Sequence, residues 1–228
     1  MSSIDFSRDS VLIICDMQEE YRRTVHHFSS VLATALRMIR LAALLGIPVF
    51  VTEGRPSIYG STVHEIKDEI ARLPLTLFGG WFTKTKYFGH SVELTQNLTY
   101  KKFTLAIICG VEAHIGIRAQ AGELMNQGMT VNILLDGISS RNKEEVAPFI
   151  TATRDKARSS KYRAFLTTSE DFAYRMIDHQ IMLGNPKVPI EDFLALIQTE
   201  SQSISTGLKN LLGNGDQGVL GDSSEAIE

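Results

Sequence analysis

Two charged side chains occupy positions suited to acid–base chemistry. Asp16 directly follows the apolar run VLIIC at residues 11–15, and an acid at the carboxyl end of a buried strand faces the crevice where open α/β sheets bind ligands. It could serve there as a general acid or base, or equally as a turn or capping residue. Lys84 lies in the aromatic-rich stretch 76–90. Its position alone favours a lysine on a surface loop. If a lysine of this stretch lies close to Asp16, it would hold the Asp16 carboxylate ionised, and Lys86 competes with Lys84 for that role.

A third feature is the stretch AIICGVEAHIGIRAQAGELMN, residues 106–126, which passes from an apolar run through Gly110 into a helical pattern. A strand that feeds a helix through a glycine turn forms a crevice between the strand's carboxyl end and the helix amino terminus. We therefore expect a ligand site at this turn.

The elements that would hold these residues alternate along the chain. Short apolar runs typical of buried parallel strands cover residues 11–15, 47–52, 104–109, 130–135 and 163–167. Segments with helical periodicity lie between most of them, whereas residues 53–65 and 76–90 are interpreted as loops. The alternation predicts an α/β fold with one doubly wound sheet. We predict one domain over residues 1–205 and a mobile tail over 206–228, where Gly, Ser and acidic residues dominate.

Composition narrows the possible partners. The 228 residues carry a formal net charge of −3, and the pI near 6.1 provides no global field that would attract nucleic acid or an anionic membrane. No apolar run reaches the roughly 18 residues of a membrane span, and the first ten residues lack a secretory pattern. Two cysteines cannot form a disulfide framework, which favours a reducing, intracellular compartment, the cytoplasm ahead of the mitochondrion.

The histidines and one basic run offer weaker signals. The six histidines show no HxH or HExxH spacing, so we predict neither a metal site nor a cofactor. The run TRDKARSSKYR, residues 153–163, is typical of a solvated helix end, and it is the one local feature that would suit a phosphate-bearing partner.

Six motifs in order carry a family resemblance. They are CDMQEEYR (15–22), TEGRPSIYGSTVHEI (52–66), FTKTKYF (82–88), ICGVEAHIGI (108–117), LLDGISSR (134–141) and FLTTSE (165–170). Over roughly residues 10–200 the chain resembles the isochorismatase-like hydrolases, most of all the isochorismatase domain-containing proteins. The resemblance implies a Rossmann-like three-layer α/β/α sandwich with a parallel sheet, assembly into homo-oligomers, and an Asp–Lys–Cys triad.

The resemblance also implies roles for individual residues. The family aspartate matches Asp16 and the family lysine matches Lys84, but Gly116 stands where the family has its catalytic cysteine. The family's oxyanion-stabilising backbone amides match a segment that begins at a non-proline cis bond near Val111–Glu112. The amides belong to Glu112, Ala113, His114, Ile115 and Gly116. Further pocket residues are expected among Tyr59, Trp81, Lys86 and His90, and His90 or His114 could assist proton transfer.

The missing thiol directs the functional prediction. A thioester mechanism needs a cysteine nucleophile, so amidase activity of the cysteine-dependent kind is disfavoured, and Cys109 is better interpreted as a core residue. Isochorismatases proper also lack the cysteine and use Asp and Lys to cleave a vinyl ether. We therefore predict a hydrolase that acts on a small-molecule substrate by thiol-independent acid–base chemistry. The alternatives are an inactive member that serves as a binding or assembly protein, and a protein similar to the mitochondrion-associated ribonucleases.

Overall fold

A single parallel sheet forms the centre of the molecule. The computed structural model describes residues 9–84, 89–158, 163–182, 189–199, 205–206 and 209. Within them lie six strands: β1 (Ser10–Cys15), β2 (Val49–Gly54), β3 (Phe78–Lys84), β4 (Leu105–Val111), β5 (Thr130–Ser139) and β6 (Ala164–Thr167). All neighbouring strands pair in parallel, in the order β3-β2-β1-β4-β5-β6. The predicted α/β class and doubly wound sheet are confirmed.

Helices cover both faces of the sheet. In chain order they are α1 (Tyr21–Thr24), α2 (Phe28–Leu45), α3 (Pro56–Tyr59), α4 (His64–Ala71), α5 (Val92–Tyr100), α6 (Arg118–Asn126), α7 (Val146–Ala157), α8 (Ser169–Met182) and α9 (Ile190–Thr199). Short 3₁₀ turns cover Leu75–Leu77 and Lys143–Glu145, and a π-helical turn covers Ala113–Ile117. Helix α2 ends as its sequence predicts, because Gly46 adopts φ 70° and its N–H caps carbonyls of the last turn.

The core has two parts, one on each face. Strand β1 is buried along its whole length, so its apolar residues alternate between the faces. Leu12 and Ile14 pack with α2, α4, α8 and α9, whereas Ile13 and Cys15 pack with α5, α6 and α7. This arrangement is the predicted three-layer α/β/α sandwich.

Helix α2 is unusually apolar for its length. Its 18 residues have a mean hydropathy of 1.6, which by length and composition would allow it to cross a membrane. However, 61% of the helix is buried inside the fold, and its apolar side packs on β1 and β5 together with α8. Burial in the core therefore accounts for its composition, as in the central helices of many soluble proteins.

Two elements differ from the sequence prediction. Residues 78–84, interpreted as part of a loop, form the edge strand β3, whose mixture of exposed, half-exposed and buried residues lacks the continuous apolar run of a central strand. Strand β5 continues past Leu135 to Ser139, so Asp136 lies inside the strand, where it is completely buried. The predicted tail, residues 206–228, lies almost entirely outside the described residues.

The topology fixes where a ligand site can lie. The chain moves outward in one direction from β1 to β2 and β3, then returns to β4 on the other side of β1 and continues to β5 and β6. The carboxyl ends of β1 and β4 therefore lie at the point where the strand order reverses, which is where such sheets open a crevice. Asp16 follows β1, and the π-helical turn follows β4.

Candidate active site

Asp16 and Lys84 form a buried ion pair at the carboxyl edge of the sheet. Lys84 Nζ donates to Asp16 Oδ2 at 2.9 Å, and the two residues are 3% and 6% exposed. Thr52 Oγ1 donates to the other carboxylate oxygen, Oδ1, at 2.7 Å. Together the two donors satisfy both oxygens and stabilise the ionised form of Asp16.

Three adjacent strands create this contact. Asp16 leaves β1 in a left-handed conformation with φ 51°, while its N–H still donates to Thr52 O on β2. Lys84 is the last residue of β3, two strands away, and its side chain must cross the end of β2. Gly54 ends β2 there, and a Cβ on it would lie 3.4 Å from Asp16 Oδ2. A glycine at this position therefore leaves space for the ion pair.

The ion pair also controls the protonation of Lys84. Burial would lower the pKa of Lys84, but the charge of Asp16, with smaller contributions from Cys15 and the Asp16 hydrogen bond, raises it above its usual 10.5. Lys84 therefore remains a cation at neutral pH and supplies a fixed positive charge within the site.

Gly116 lies against this pair. A Cβ at position 116 would be 3.0 Å from Asp16 Oδ2, 3.5 Å from Lys84 Nζ and 3.5 Å from Val111 O. The expected cis bond between Val111 and Glu112 is present at the start of the turn. Gly116, which the resemblance matches to the family's cysteine, thus lies beside the Asp–Lys pair and carries no side chain.

Two backbone amides of this turn form hydrogen bonds within it. Ile115 N–H donates to Glu112 O at 3.2 Å, and Ile117 N–H donates to the same carbonyl at 3.1 Å. In this structure the Ile115 amide is thus already hydrogen-bonded within the turn, and its oxyanion role stays a prediction. Ala113 is completely buried, and only Glu112, Ile115 and Gly116 of the five predicted turn residues line the cavity.

A cavity of about 170 Å³ opens above the ion pair. Its described lining consists of Asp16, Tyr21, Gly54, Arg55, Tyr59, Lys84, Gly89, Glu112, Ile115, Gly116 and Arg141. The rings of Tyr21 and Tyr59 stack with centroids 4.8 Å apart and an interplanar angle of 17°. Arg141 Nε donates to Glu112 Oε1 at 2.6 Å. The cavity therefore combines an aromatic wall with two ion pairs.

Other predicted pocket residues lie elsewhere. Trp81 belongs to the exposed side of β3, because Phe82 and Lys84 occupy its buried side and successive strand residues alternate. His90 lines a separate surface groove beside α5, and His114 Nδ1 is 2.9 Å from Ser140 Oγ. Tyr59 lines the cavity, as expected. Lys86 lies outside the described residues.

Sequence reasoning missed three side chains that line the cavity. Tyr21, Arg55 and Arg141 each stand within a motif that carries the family resemblance, but none directly follows one of the apolar runs from which the strands are predicted. Their presence in the CDMQEEYR, TEGRPSIYG and LLDGISSR motifs was the available signal. The convergence of these three segments depends on the folded sheet.

The two cysteines are buried below the site. Cys15 and Cys109 are both fully buried. Burial raises the pKa of Cys15 to about 11, and burial together with nearby negative charge raises that of Cys109 well above 9.0. Neither thiol has the exposure or the low pKa of a nucleophile. The interpretation of Cys109 as a core residue is confirmed.

One group among the described residues has the donor types of a metal site. Glu19, His64 and Glu65 lie close together, but Arg22 donates to both carboxylate oxygens of Glu65, at 3.0 and 2.7 Å, and to Glu19 at 3.2 Å. The His64 side chain is mostly exposed. Ion pairing with Arg22 accounts for this surface cluster without a bound ion.

Comparison with known proteins agrees with this architecture. The isochorismatase domain model matches residues 10–171. Isochorismatase domain-containing protein 2 from Xenopus laevis is 30% identical over 184 residues, which cover 80% of each chain.

Two solved structures extend the comparison. The structure of MAR1 ribonuclease from Caenorhabditis elegans aligns with a TM-score of 0.63 and 25% identity, covering 96% of this chain and 98% of that one. The YcaC gene product of Escherichia coli, an octameric hydrolase of unknown specificity, aligns with a TM-score of 0.55 and 16% identity over 89% of this chain and 98% of its own. The latter likeness concerns the fold alone. The family model covers most of the chain, and a relative at 30% identity covers four fifths of it: the chain belongs to the isochorismatase family.

Proposed function

We propose that this protein hydrolyses a small molecule without a covalent thiol intermediate, with Asp16 as the acid–base residue and Lys84 as its electrostatic partner. The observation that carries the proposal is the 2.9 Å Asp16–Lys84 pair, buried at the floor of a cavity and facing Gly116. A paired carboxylate and ammonium at the floor of a pocket are suited to proton transfer and to stabilising developing negative charge.

The geometry favours a base role for Asp16 in the first step. Hydrogen bonds from Lys84 and Thr52 stabilise its carboxylate form. A water molecule bound above Gly116 would pass a proton to Asp16 as its oxygen forms the new bond to the substrate carbon. Lys84 would stabilise the negative charge that develops on the tetrahedral intermediate. The bond between the substrate carbon and the leaving-group oxygen would then break as Asp16 returns the proton to that oxygen. Because Gly116 has no side chain, water can approach Asp16 where other family members hold a thiol.

Substitution of Asp16 by Asn tests this mechanism. Asn has nearly the same shape but cannot accept the proton, so turnover on a panel of aryl esters should fall by about 100- to 10,000-fold. Steady-state kinetics would measure the loss, with circular dichroism to verify folding. Asp68→Asn, at an exposed position of α4, is the matched control and should retain wild-type rates.

The same panel separates the alternatives. Unchanged turnover in Asp16→Asn would refute the proposed mechanism. Absence of turnover by the wild-type protein on every substrate would favour the non-catalytic binding or assembly role, for which the motivation is Gly116 in the nucleophile position.

Ribonuclease activity is a second candidate, favoured by the likeness to the MAR1 ribonuclease structure at 25% identity. Two features weigh against it. Asp16 and Lys84 are nearly inaccessible at the floor of a small cavity. The basic run lies at the amino-terminal end of the strands, away from that cavity. Arg154, Lys156 and Arg158 end α7, and Arg163 pairs with the start of β5. Degradation of single-stranded RNA that disappears in Asp16→Asn would establish this candidate.

We also propose that the chain assembles into a homo-oligomer. The family resemblance implies assembly, and the similar YcaC gene product is octameric. Light scattering coupled to gel filtration should therefore give a mass that is a multiple of the 25.3 kDa chain. A concentration-independent mass of one chain would refute this proposal.

A further inference from the structure

Arg141 lines the same cavity as Asp16 but belongs to a second ion pair. Its Nε donates to Glu112 Oε1, and Glu112 is 4% exposed whereas the Arg141 side chain is 45% exposed. Among the described residues, Glu112 is the one hydrogen-bond partner of the Arg141 guanidinium. The two terminal nitrogens of Arg141 therefore have no acceptor within the described part of the chain.

Tyr21 holds the guanidinium in place and adds a second donor. Arg141 Cζ lies 5.9 Å from the centroid of the Tyr21 ring, a cation–π arrangement that orients the planar head group. Tyr21 is 7% exposed and lines the cavity, yet no described residue hydrogen-bonds its hydroxyl. Burial, followed by the charges of Asp16 and Glu112, raises the pKa of Tyr21. The hydroxyl therefore keeps its proton at neutral pH and can donate a hydrogen bond to a ligand.

We propose that the substrate carries a carboxylate, which the terminal nitrogens of Arg141 bind as a fork and the Tyr21 hydroxyl supports as a further donor. This inference rests on the proposed function, because it names the class of substrate for that same cavity. A planar carboxylate matches the parallel N–H groups of a guanidinium better than a neutral amide does. The stacked rings of Tyr21 and Tyr59 would contact the flat, apolar part of such a substrate.

The two carboxylates of the cavity, those of Asp16 and Glu112, are each neutralised by a partner and so would not repel a bound carboxylate. The charge of Asp16 is balanced by Lys84 at 2.9 Å, and that of Glu112 by Arg141 at 2.6 Å. Glu112 uses the Nε side of the guanidinium, so it orients Arg141 and leaves the other edge for a ligand. In this scheme Glu112 is a positioning residue and Arg141 determines specificity.

The test compares two probes that differ in charge but hardly in shape, benzoate and benzamide. Isothermal titration calorimetry on the full chain at neutral pH should show benzoate binding about 10- to 100-fold more tightly than benzamide. Arg141→Gln should remove this preference without weakening benzamide, and Tyr21→Phe should reduce it by several-fold. Arg141→Lys keeps the charge beside Glu112 but loses the fork, so it should fold and retain only part of the preference.

Controls separate this inference from the proposed function. Arg158→Gln, at the end of α7 on the opposite edge of the sheet, should bind both probes like the wild type. Equal binding of the two probes by the wild type, including no detectable binding of either, would overturn the carboxylate assignment, as would equal weakening of both probes in Arg141→Lys. Asp16→Asn should keep the benzoate preference while it loses turnover. Turnover that survives in Asp16→Asn would refute the hydrolytic mechanism alone.

Discussion

At the residue scale, Gly116 has the largest consequence for chemistry. The elements of a thiol-activating site surround it, since Asp16 Oδ2 and Lys84 Nζ lie 3.0 and 3.5 Å from where its Cβ would be. A lysine ammonium at this distance favours the thiolate form of a cysteine. A cysteine side chain at this position would therefore lie close to both members of the Asp–Lys pair.

We therefore expect Gly116→Cys to create a reactive thiol after a shift of a few tenths of an ångström by its neighbours. Alkylation by iodoacetamide, followed by intact mass spectrometry across pH, should reach its half-maximal rate at a lower pH than in Gly122→Cys. Gly122 is the matched control because a Cβ there has no neighbour within 4 Å. Wild-type Cys15 and Cys109, both fully buried, should remain unmodified. Identical pH profiles for the two variants would show that the Asp–Lys pair does not activate a thiol here.

Lys84 gives a second prediction at this scale, on stability against pH. Because the pKa of Lys84 is raised above 10.5 in the folded protein, the folded state holds the proton more tightly than the unfolded state. Its stabilising contribution should be complete below about pH 10.5 and be lost as the pH rises through the folded pKa. Urea unfolding should show Lys84→Met less stable by about 3–5 kcal/mol at neutral pH, and this difference should shrink in strongly alkaline solution.

Lys67→Met is the control for this experiment, since Lys67 is exposed and its side chain donates only to Ser61 Oγ among the described residues. Its free energy of unfolding should follow that of the wild type across the same pH range. A Lys84→Met difference that grows with rising pH would contradict the assignment of a raised pKa.

At the element scale, a buried polar network joins α2, β5 and α8. Asp136 on β5 accepts a hydrogen bond from Arg37 Nη2 on α2 at 3.2 Å, and its oxygens also accept from the Ser169 N–H and hydroxyl at the start of α8. Thr34 Oγ1 donates to Asp136 O at 2.9 Å. The carboxylate thus adds to the Thr168 cap of α8, whose Oγ1 accepts from the Asp171 N–H at 3.1 Å, and connects two helices to one strand.

Removal of this carboxylate should be costly because its partners are buried with it. We expect Asp136→Ala to lower the free energy of unfolding by about 3–5 kcal/mol, measured by urea denaturation. Asp155→Ala breaks the exposed pair with Arg158 and should cost less than about 1 kcal/mol. Equal losses in the two variants would mean that the network contributes no more than a surface ion pair.

At the scale of the whole molecule, the Asp16–Lys84 pair and the basic residues of α7 lie at opposite ends of the strands. The Asp16–Lys84 pair lies at the carboxyl edge of the sheet, whereas Arg154, Lys156 and Arg158 lie near the amino edge. Replacing these three basic residues by Gln should therefore leave turnover of small substrates within about twofold of wild type, since solvent and salt screen charges over such separations. Steady-state kinetics would test this. A loss of more than tenfold in a folded triple variant would place the basic run in the reaction.

Much of this organisation could be predicted from the sequence, because it depends on local patterns. Continuous apolar runs identify the central strands, and the residue that follows such a run lies at the ligand edge of a parallel sheet. That logic found Asp16, and the motif order identified the family, Lys84 and the glycine at position 116. Edge strand β3 was missed because its mixed burial, one side packed and one exposed, resembles a turn-rich loop.

Convergence of side chains across the sheet could not be predicted in this way. Tyr21 and Arg141 are 120 positions apart in sequence, and they meet because β1 and β5 both flank β4 at the same edge. Strand alternation turns Trp81 away from the side that carries Lys84. Sequence periodicity specifies which side of an element is buried, whereas the residues that share a cavity depend on strand order and register. Long-range pairing therefore decides which charged groups face the substrate.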